Sequence, residues 1–447
     1  MTTHGGSTPD SFGSRGRADF LNPCEVVMTP PDAKRLIVLM LLLVGAAPVW
    51  GSDGDWPQWR GPTRDGHAGG NTWPTSLSAD NLTLAWRVEL GPSYSGPIVV
   101  GDRVFTTETR GKKTEVASAY NRRTGERLWS IEWPGAMRVP FFAAANGSWI
   151  RATPACDGDT LYVAGIRDVL VALDTASGDE RWRVDFTERF GTSVPSFGCA
   201  SSPVVEGDAV YVQAGDGFVK LDKSTGETAW RLETGGGGMS GGAFSSPLMA
   251  SLGGKQLAVV QTRLELKGVE PDSGQEQWSQ PIAAFRGMNI LTPILYNGAV
   301  FTSAHTGRSQ LWRLGESADG GGLAEVWSNK SQAYMSSPVI VDDHLYLHLR
   351  NQRVQCIDLA TGEEAWRSRP FGKYQSMAVL PAGPGGEPMI LSLDERGELL
   401  LIKATPKAFE LVDSRKVSQD EAWAHIAVCG GQVFVRELNA LAAYDWR

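Results

Sequence analysis

Several short stretches of the 447-residue sequence carry residue types that do chemistry in other proteins. His344 and His348 stand four apart, a metal-ligand spacing on a helix. They lie in "HLYLHL", an alternating strand pattern, where they face the same way but about 13 Å apart, too far to share one ion. "GMSGG" (238–242) matches the nucleophile elbow G-x-S-x-G, and "GGGMSG" (236–241) matches the dinucleotide-binding G-x-G-x-x-G. The first needs a strand-to-helix turn and the second a helix N-terminus. No helical pattern follows either one, so both read as loop composition. "LDERGE" (393–398) offers carboxylates to calcium but falls where a turn between strands is expected, and it reads as a solvated turn. Cys156, Cys199, Cys356 and Cys429 show no C-x-x-C spacing, so neither zinc nor a redox pair is signalled. A disulfide in an oxidising compartment and buried free thiols are both compatible with them. No catalytic residue and no metal site is predicted.

A different constellation stands at the starts of what read as innermost strands. It comprises Tyr94, Trp149, Arg151, Phe244, Arg286, Asn289, Tyr334, Lys373, Tyr374, Trp423 and His425. Small or β-branched residues suit packed strands at such places better. Cations and aromatics converging on one funnel suit an anionic or sugar-like ligand, or the acidic peptide of a partner. The same residues would also serve as a solvated rim. The turns "TRLE" (262–265), "LRNQR" (349–353) and "RELN" (436–439) belong to this rim or to the opposite one.

The elements that must position these residues repeat. Trp86, Trp129, Trp182, Trp230, Trp278, Trp327 and Trp366 are separated by 43, 53, 48, 48, 49 and 39 residues, and a degenerate copy follows near Phe409. That spacing is typical of propeller blades. In step with it runs a strand pair joined by a Gly/Asp turn, as in "ASSPVVEGDAVYVQA" (200–214) and "MSSPVIVDDHLYLHL" (335–349). Each unit therefore reads as four antiparallel strands, and eight units fill the chain. Gly125, Gly178, Gly226, Gly274 and Gly362 each precede a blade tryptophan by four residues. Four of them also follow Asn121, Asp174, Asp222 or Asp358, whose side chains can bond the turn backbone. The tryptophan then supplies a flat surface for the neighbouring blade.

The first motif, "TLAWRVEL" (83–90), is an outer strand with no inner strands before it, whereas the last unit contains three strands and then the chain ends. Joining the two closes the ring and hides its edges. The expected fold is all-β: an eight-bladed β-propeller over residues 82–447, closed by an N-terminal strand in the C-terminal blade. Residues 52–447 shared among eight blades give 49.5 residues each. A seven-bladed WD40 ring would need Gly-His and Trp-Asp signatures, which are missing.

Eight units with Asp/Asn-x-x-[ST]-G-x-x-x-Trp turns and "SSPVV-GD-VYV" strands resemble the bacterial pyrroloquinoline quinone (PQQ)-like propeller repeat family. That family includes quinoprotein alcohol dehydrogenases and the outer-membrane assembly factor BamB. The leader "DWPQWRGPTRDG" (55–66), within residues 52–81, also looks like the segment ahead of such propellers and is expected to pack on the ring. In the quinoprotein dehydrogenases the resemblance implies PQQ stacked between a tryptophan and a disulfide of adjacent cysteines, with calcium held by carboxylate and amide groups and an aspartate as base. This sequence has no Cys-Cys pair, so no cofactor is predicted. PQQ with calcium belongs to the alternative reading, a quinoprotein oxidoreductase of the alcohol dehydrogenase type. The leading expectation is an exported, non-enzymatic scaffold that binds a protein or small ligand through its central face.

Lys34 and Arg35, followed by the apolar run Leu36–Ala47 and small residues, form a secretory signal peptide pattern within residues 28–51. Twelve apolar residues are too few to span a bilayer, though a short anchor would read similarly. Residues 1–27 precede a second methionine, Met28, and read as a disordered extension or a start placed too early. No cysteine follows the apolar run closely enough for lipid attachment, so a periplasmic or secreted monomer is expected, touching a membrane only through a partner. A net charge of −8 argues against nucleic acid.

Overall fold

The computed structural model describes residues 54–70, 73–235, 241–315, 322–382 and 386–447. The signal-peptide pattern, residues 1–27 and most of both glycine motifs at 236–242 lie outside them. Within the described residues, 32 strands form eight separate four-stranded antiparallel sheets, one per blade of a propeller. The first blade contains Ile98–Val100, Arg103–Arg110, Thr114–Asn121 and Arg127–Pro134, from the axis outward. The eighth contains Ala427–Cys429, Gln432–Glu437 and Ala440–Trp446, and its outer strand is Leu82–Glu89 from the other end of the chain.

Burial follows position in the blade. In the second blade the strand Thr160–Gly165 is buried throughout, whereas the outer strand Glu180–Asp185 buries only Trp182 and Val184. Apolar residues on both faces of the middle strands are what a blade needs when it is sandwiched between two others. In all eight blades the pairing of the third strand with the outer strand contains a register shift. A bulge increases local twist, which splays the outer edge of each blade from the next.

The recurring turn does two jobs. Asn121 Oδ1 accepts the amides of Arg123 and Thr124, and Asp174, Asp222 and Asp358 accept the equivalent pairs. In the fourth blade Glu270 takes over, accepting from Asp272 and Ser273. The turn then receives the preceding blade's tryptophan. The indoles of Trp86, Trp129, Trp182, Trp230, Trp327 and Trp366 donate to carbonyls at the next blade's turn, at 2.7–3.0 Å. A Cβ on Gly125, Gly178, Gly226, Gly274 or Gly362 would lie 2.5–2.7 Å from the ring of the tryptophan before it. The fourth blade's Trp278 instead lies across Gly268 of its own blade.

The ring seam has its own solution. Asp413, in the seventh blade's outer strand, accepts from the Leu77 amide at 2.7 Å and from Ser76 Oγ. Trp446 donates to the Ser76 carbonyl at 2.8 Å, and the Arg447 amide donates to Asn81 O. All four cysteines among the described residues are buried and unbonded to one another.

His348 is a core residue. Its Nδ1 faces Ser336 Oγ at 3.2 Å and its Nε2 donates to the Gly372 carbonyl at 3.0 Å. His344 begins the same strand, half-buried, with Leu345–Leu347 between them.

Gly178→Ala must hold a side chain at φ +80° against Trp129, whereas Gly158→Ala, at φ +61°, meets nothing within 4 Å. The first is expected to cost about 2 kcal/mol or more and the second about 1 kcal/mol, read from denaturant midpoints; equal losses would contradict the inter-blade contact. Burial pushes His348 down to about 4, so the folded protein holds it neutral. The associated stability is present above the unfolded value near 6.5 and is lost as pH falls from about 6.5 towards 4, on the order of 3 kcal/mol. His348→Gln should flatten that part of the stability-versus-pH curve; an unchanged slope would show that the shift is absent.

Candidate functional site

Each outer strand hands the chain to the next innermost strand over one face of the ring, and the hairpins between second and third strands reach the same face. These links are free of the turn-and-tryptophan constraint and vary most. The longest tryptophan spacing, 53 residues, contains the two-turn 3-10 segment Phe141–Asn146. Together the links enclose a cavity of about 1040 Å³.

The cavity brings together six residues of the sequence-level constellation: Tyr94, Arg151, Phe244, Arg286, Tyr334 and Trp423. Five others fall elsewhere. Trp149 packs over Gly147 beside the cavity, and Asn289 is fully buried, donating to the carbonyls of Arg263 and Ile282. Tyr374 backs Trp423 edge-on at 4.5 Å, Lys373 is exposed, and His425 faces inward to Trp59 at 5.3 Å. Of the three turns left unassigned by sequence, the one at Thr262–Leu264 lines the cavity.

Aromatic rings form two arcs around this space. One runs Tyr94–Trp423–Tyr374–Tyr334, with Tyr94 and Trp423 stacked at 4.6 Å and 11°. The other runs Phe142–Phe197–Phe244, with centroids 6.2 and 5.8 Å apart. The lip is apolar and open: Phe141 is 91% exposed, Leu264 67%, Phe142 54% and Phe285 50%. Contiguous exposed apolar surface of this kind marks interaction sites.

Arg151, Arg263 and Arg286 supply the charge, and no Asp or Glu stands among the described lining residues. Arg151 donates to the carbonyls of Trp149 and Gly147, and burial lowers its pKa. Arg263 lies over Phe244 at 4.6 Å and donates to the carbonyls of Gly287 and Arg286 at 2.6 and 2.7 Å. Asn289 holds the Arg263 carbonyl in turn, so this latch fixes the Phe285–Gly287 turn, where Arg286 adopts the left-handed φ of 51°. A non-glycine residue held there costs of order 1 kcal/mol, and such positions cluster at binding sites. Burial raises the Tyr94 hydroxyl to about 12, so it stays a neutral donor. The buried Trp423 indole N–H has no hydrogen-bond partner. The site thus offers cations and flat apolar walls, and among the described lining residues no acidic group.

Phe142, Phe197, Phe285 and Arg263 were not singled out by sequence reasoning. The 53-residue spacing before Trp182 is the signal that could have pointed to the segment carrying Phe142, and the "TRLE" turn contains Arg263.

A family model described as outer membrane protein assembly factor BamB matches residues 112–368. The serine/threonine-protein kinase AfsK of Streptomyces griseus is 37% identical over 162 residues, covering 35% of this chain and 18% of that protein. The outer membrane protein assembly factor BamB of Yersinia pestis is 22% identical over 244 residues, covering 50% of this chain and 56% of that one. This chain therefore spans little more than half, at most, of these relatives. The crystal structure of a quinohemoprotein alcohol dehydrogenase from Comamonas testosteroni superposes with a TM-score of 0.62 at 14% identity, covering 88% of this chain and 81% of that one, which shows a shared fold. With the matched region spanning more than half of the sequence and eight blades in a closed ring, the chain belongs to the BamB-like family of PQQ-repeat β-propellers.

Proposed function

We propose that this propeller is an exported binding scaffold, without enzymatic activity of its own, that takes an anionic, aromatic-bearing segment of a partner protein into the mouth cavity. The observation that carries the reading is the cavity's composition: three arginines, two aromatic arcs and no carboxylate among the described lining residues, in a chain whose net charge is −8. A cationic funnel in an acidic protein concentrates anions at that one place. The exposed Phe141, Phe142, Leu264 and Phe285 give a partner apolar surface to cover. Residues matching an assembly-factor family support a protein partner. Among the described residues no helix is long and apolar enough to cross a membrane.

The residues present do not fit the quinone–calcium pair of the dehydrogenases. The cavity offers a divalent cation no carboxylate, and among the described residues no three His, Cys, Asp or Glu side chains converge. The four cysteines are scattered and buried, so nothing supplies the adjacent-cysteine disulfide.

The probe 1-anilinonaphthalene-8-sulfonate, aromatic and anionic, should bind the native protein with salt-sensitive affinity. Arg286→Glu is expected to weaken it about tenfold or more, and Lys373→Glu, outside the cavity, less than about twofold, on a Coulombic scale of about 1 kcal/mol or more for a partly desolvated charge reversal. Equal effects of the two would count against the cavity. PQQ is itself a planar carboxylate, so quenching of tryptophan fluorescence by it should be indifferent to calcium and accompanied by no dye-linked alcohol oxidation. Calcium-dependent quenching with alcohol-dependent dye reduction would favour the dehydrogenase reading.

A further inference from the structure

The leader does more than cover the ring. Trp56 exchanges both backbone hydrogen bonds with Val99, at 2.7 and 2.9 Å, extending the first blade's innermost strand. The Cys156 amide of the second blade donates to the Pro57 carbonyl at 2.8 Å. Arg64 donates to the Pro203 and Ser202 carbonyls of the third blade, and Arg60 to the Pro338 carbonyl of the sixth. His67 donates to the Ile340 carbonyl at 2.8 Å, and Gly66 and Ala68 pair with Val379 of the seventh blade. Trp59 meets His425 of the eighth. Residues 54–68 thus contact the axial edges of six of the eight blades.

These contacts are those of a ligand. Most are made to backbone groups that short innermost strands leave unpaired along the axis, the mode by which extended peptides add to sheet edges. The bound form is tightly shaped: Gly66 sits at φ +88°, where a Cβ would press on Arg60, the Met377 carbonyl and Val339. Trp59, Arg60 and Arg64 are all nearly fully buried, with both guanidinium groups against the Trp59 ring at 5.4 and 5.3 Å. Neither arginine has a carboxylate within 4 Å among the described residues, and burial lowers them to about 10 and about 9. Carbonyl oxygens at the strand starts solvate them instead, together with the leader's own Asp65 carbonyl and Gln58 Oε1. The site therefore selects two arginines at a spacing of four within a Trp-bearing turn.

We infer that the axial channel is a peptide-binding site for a W-R-G-P-x-R-D-G segment, that the chain's own residues 54–68 are its tethered ligand, and that the site accepts the same segment from outside once the tether is cut. This site is distinct from the mouth cavity, and its test does not depend on what that cavity binds.

The test uses the full chain with a protease site inserted between Gly70 and Trp73. After cleavage, the leader fragment should co-elute with the ring in native size exclusion, and a fluorescein-labelled 54–68 peptide should exchange into it. Unlabelled peptide should displace the label, whereas peptide carrying Arg60→Ala and Arg64→Ala should require at least tenfold more. Loss of the fragment with binding of the labelled peptide would also support the site, at lower affinity. A folded, cleaved ring that binds no labelled peptide, or equal competition by the double-alanine peptide, would overturn it. So would a ring that unfolds on cleavage, judged by near-ultraviolet circular dichroism, because the leader would then be a part of the folding core.

Discussion

The contact on which the molecule depends is an indole ring lying on a glycine of the next blade. It fixes how far apart two blades sit, because the glycine admits the ring where any Cβ would collide, and it fixes their angle, because the indole N–H must reach a turn carbonyl. A flat ring with one polar edge suits this task, burying a large apolar face while satisfying its only donor. Repeated around the axis, small rotations of equal size close a ring. The departures show which part of the rule is essential. Glu270 replaces the Asx cap without loss of the turn, and Asp413 replaces a tryptophan where the next turn is broken by the seam.

That contact lies on the outer, turn-bearing side of the blades, so it leaves the opposite face unconstrained. The longest insertion, the left-handed Arg286 and the exposed phenylalanines all collect there. A scaffold that stabilises itself on one face can vary the other without unfolding, which is how repeat proteins come to share blades while differing in ligand. The charge distribution follows the same division. The turns carry Asp and Glu caps, and the mouth and axis carry arginines solvated by backbone carbonyls.

How much of this was legible in the sequence differs between the two faces. Blade number, strand order and ring closure follow from local rules: an Asx cap, a turn glycine and an alternating strand each act within a few residues. The mouth depends on where links of unequal length converge. Tyr94, Arg151 and Trp423 could be marked because they sit at fixed offsets before an innermost strand. Phe142 and Phe285 sit inside links with no repeat register, and their partners are distant in sequence. Asn289 stands five residues before its innermost strand, one more than those three, and turns inward to latch Arg263, while Ile290 at the shared offset lines the cavity. The leader's Trp and Arg content announced a packed segment. Its path along the axis became visible only from the carbonyls at the strand starts.

The central claim is that recognition occurs at the mouth face and not at the repeated turns. Placing the photo-cross-linking residue p-benzoylphenylalanine at Phe142, Phe285, Thr124 or Thr361, and irradiating the protein in its own cells, tests this directly. One adduct of the same size is expected from positions 142 and 285, absent from 124 and 361 and lost when Arg286→Glu is added. Adducts formed from the turn positions, or equally from all four, would contradict it.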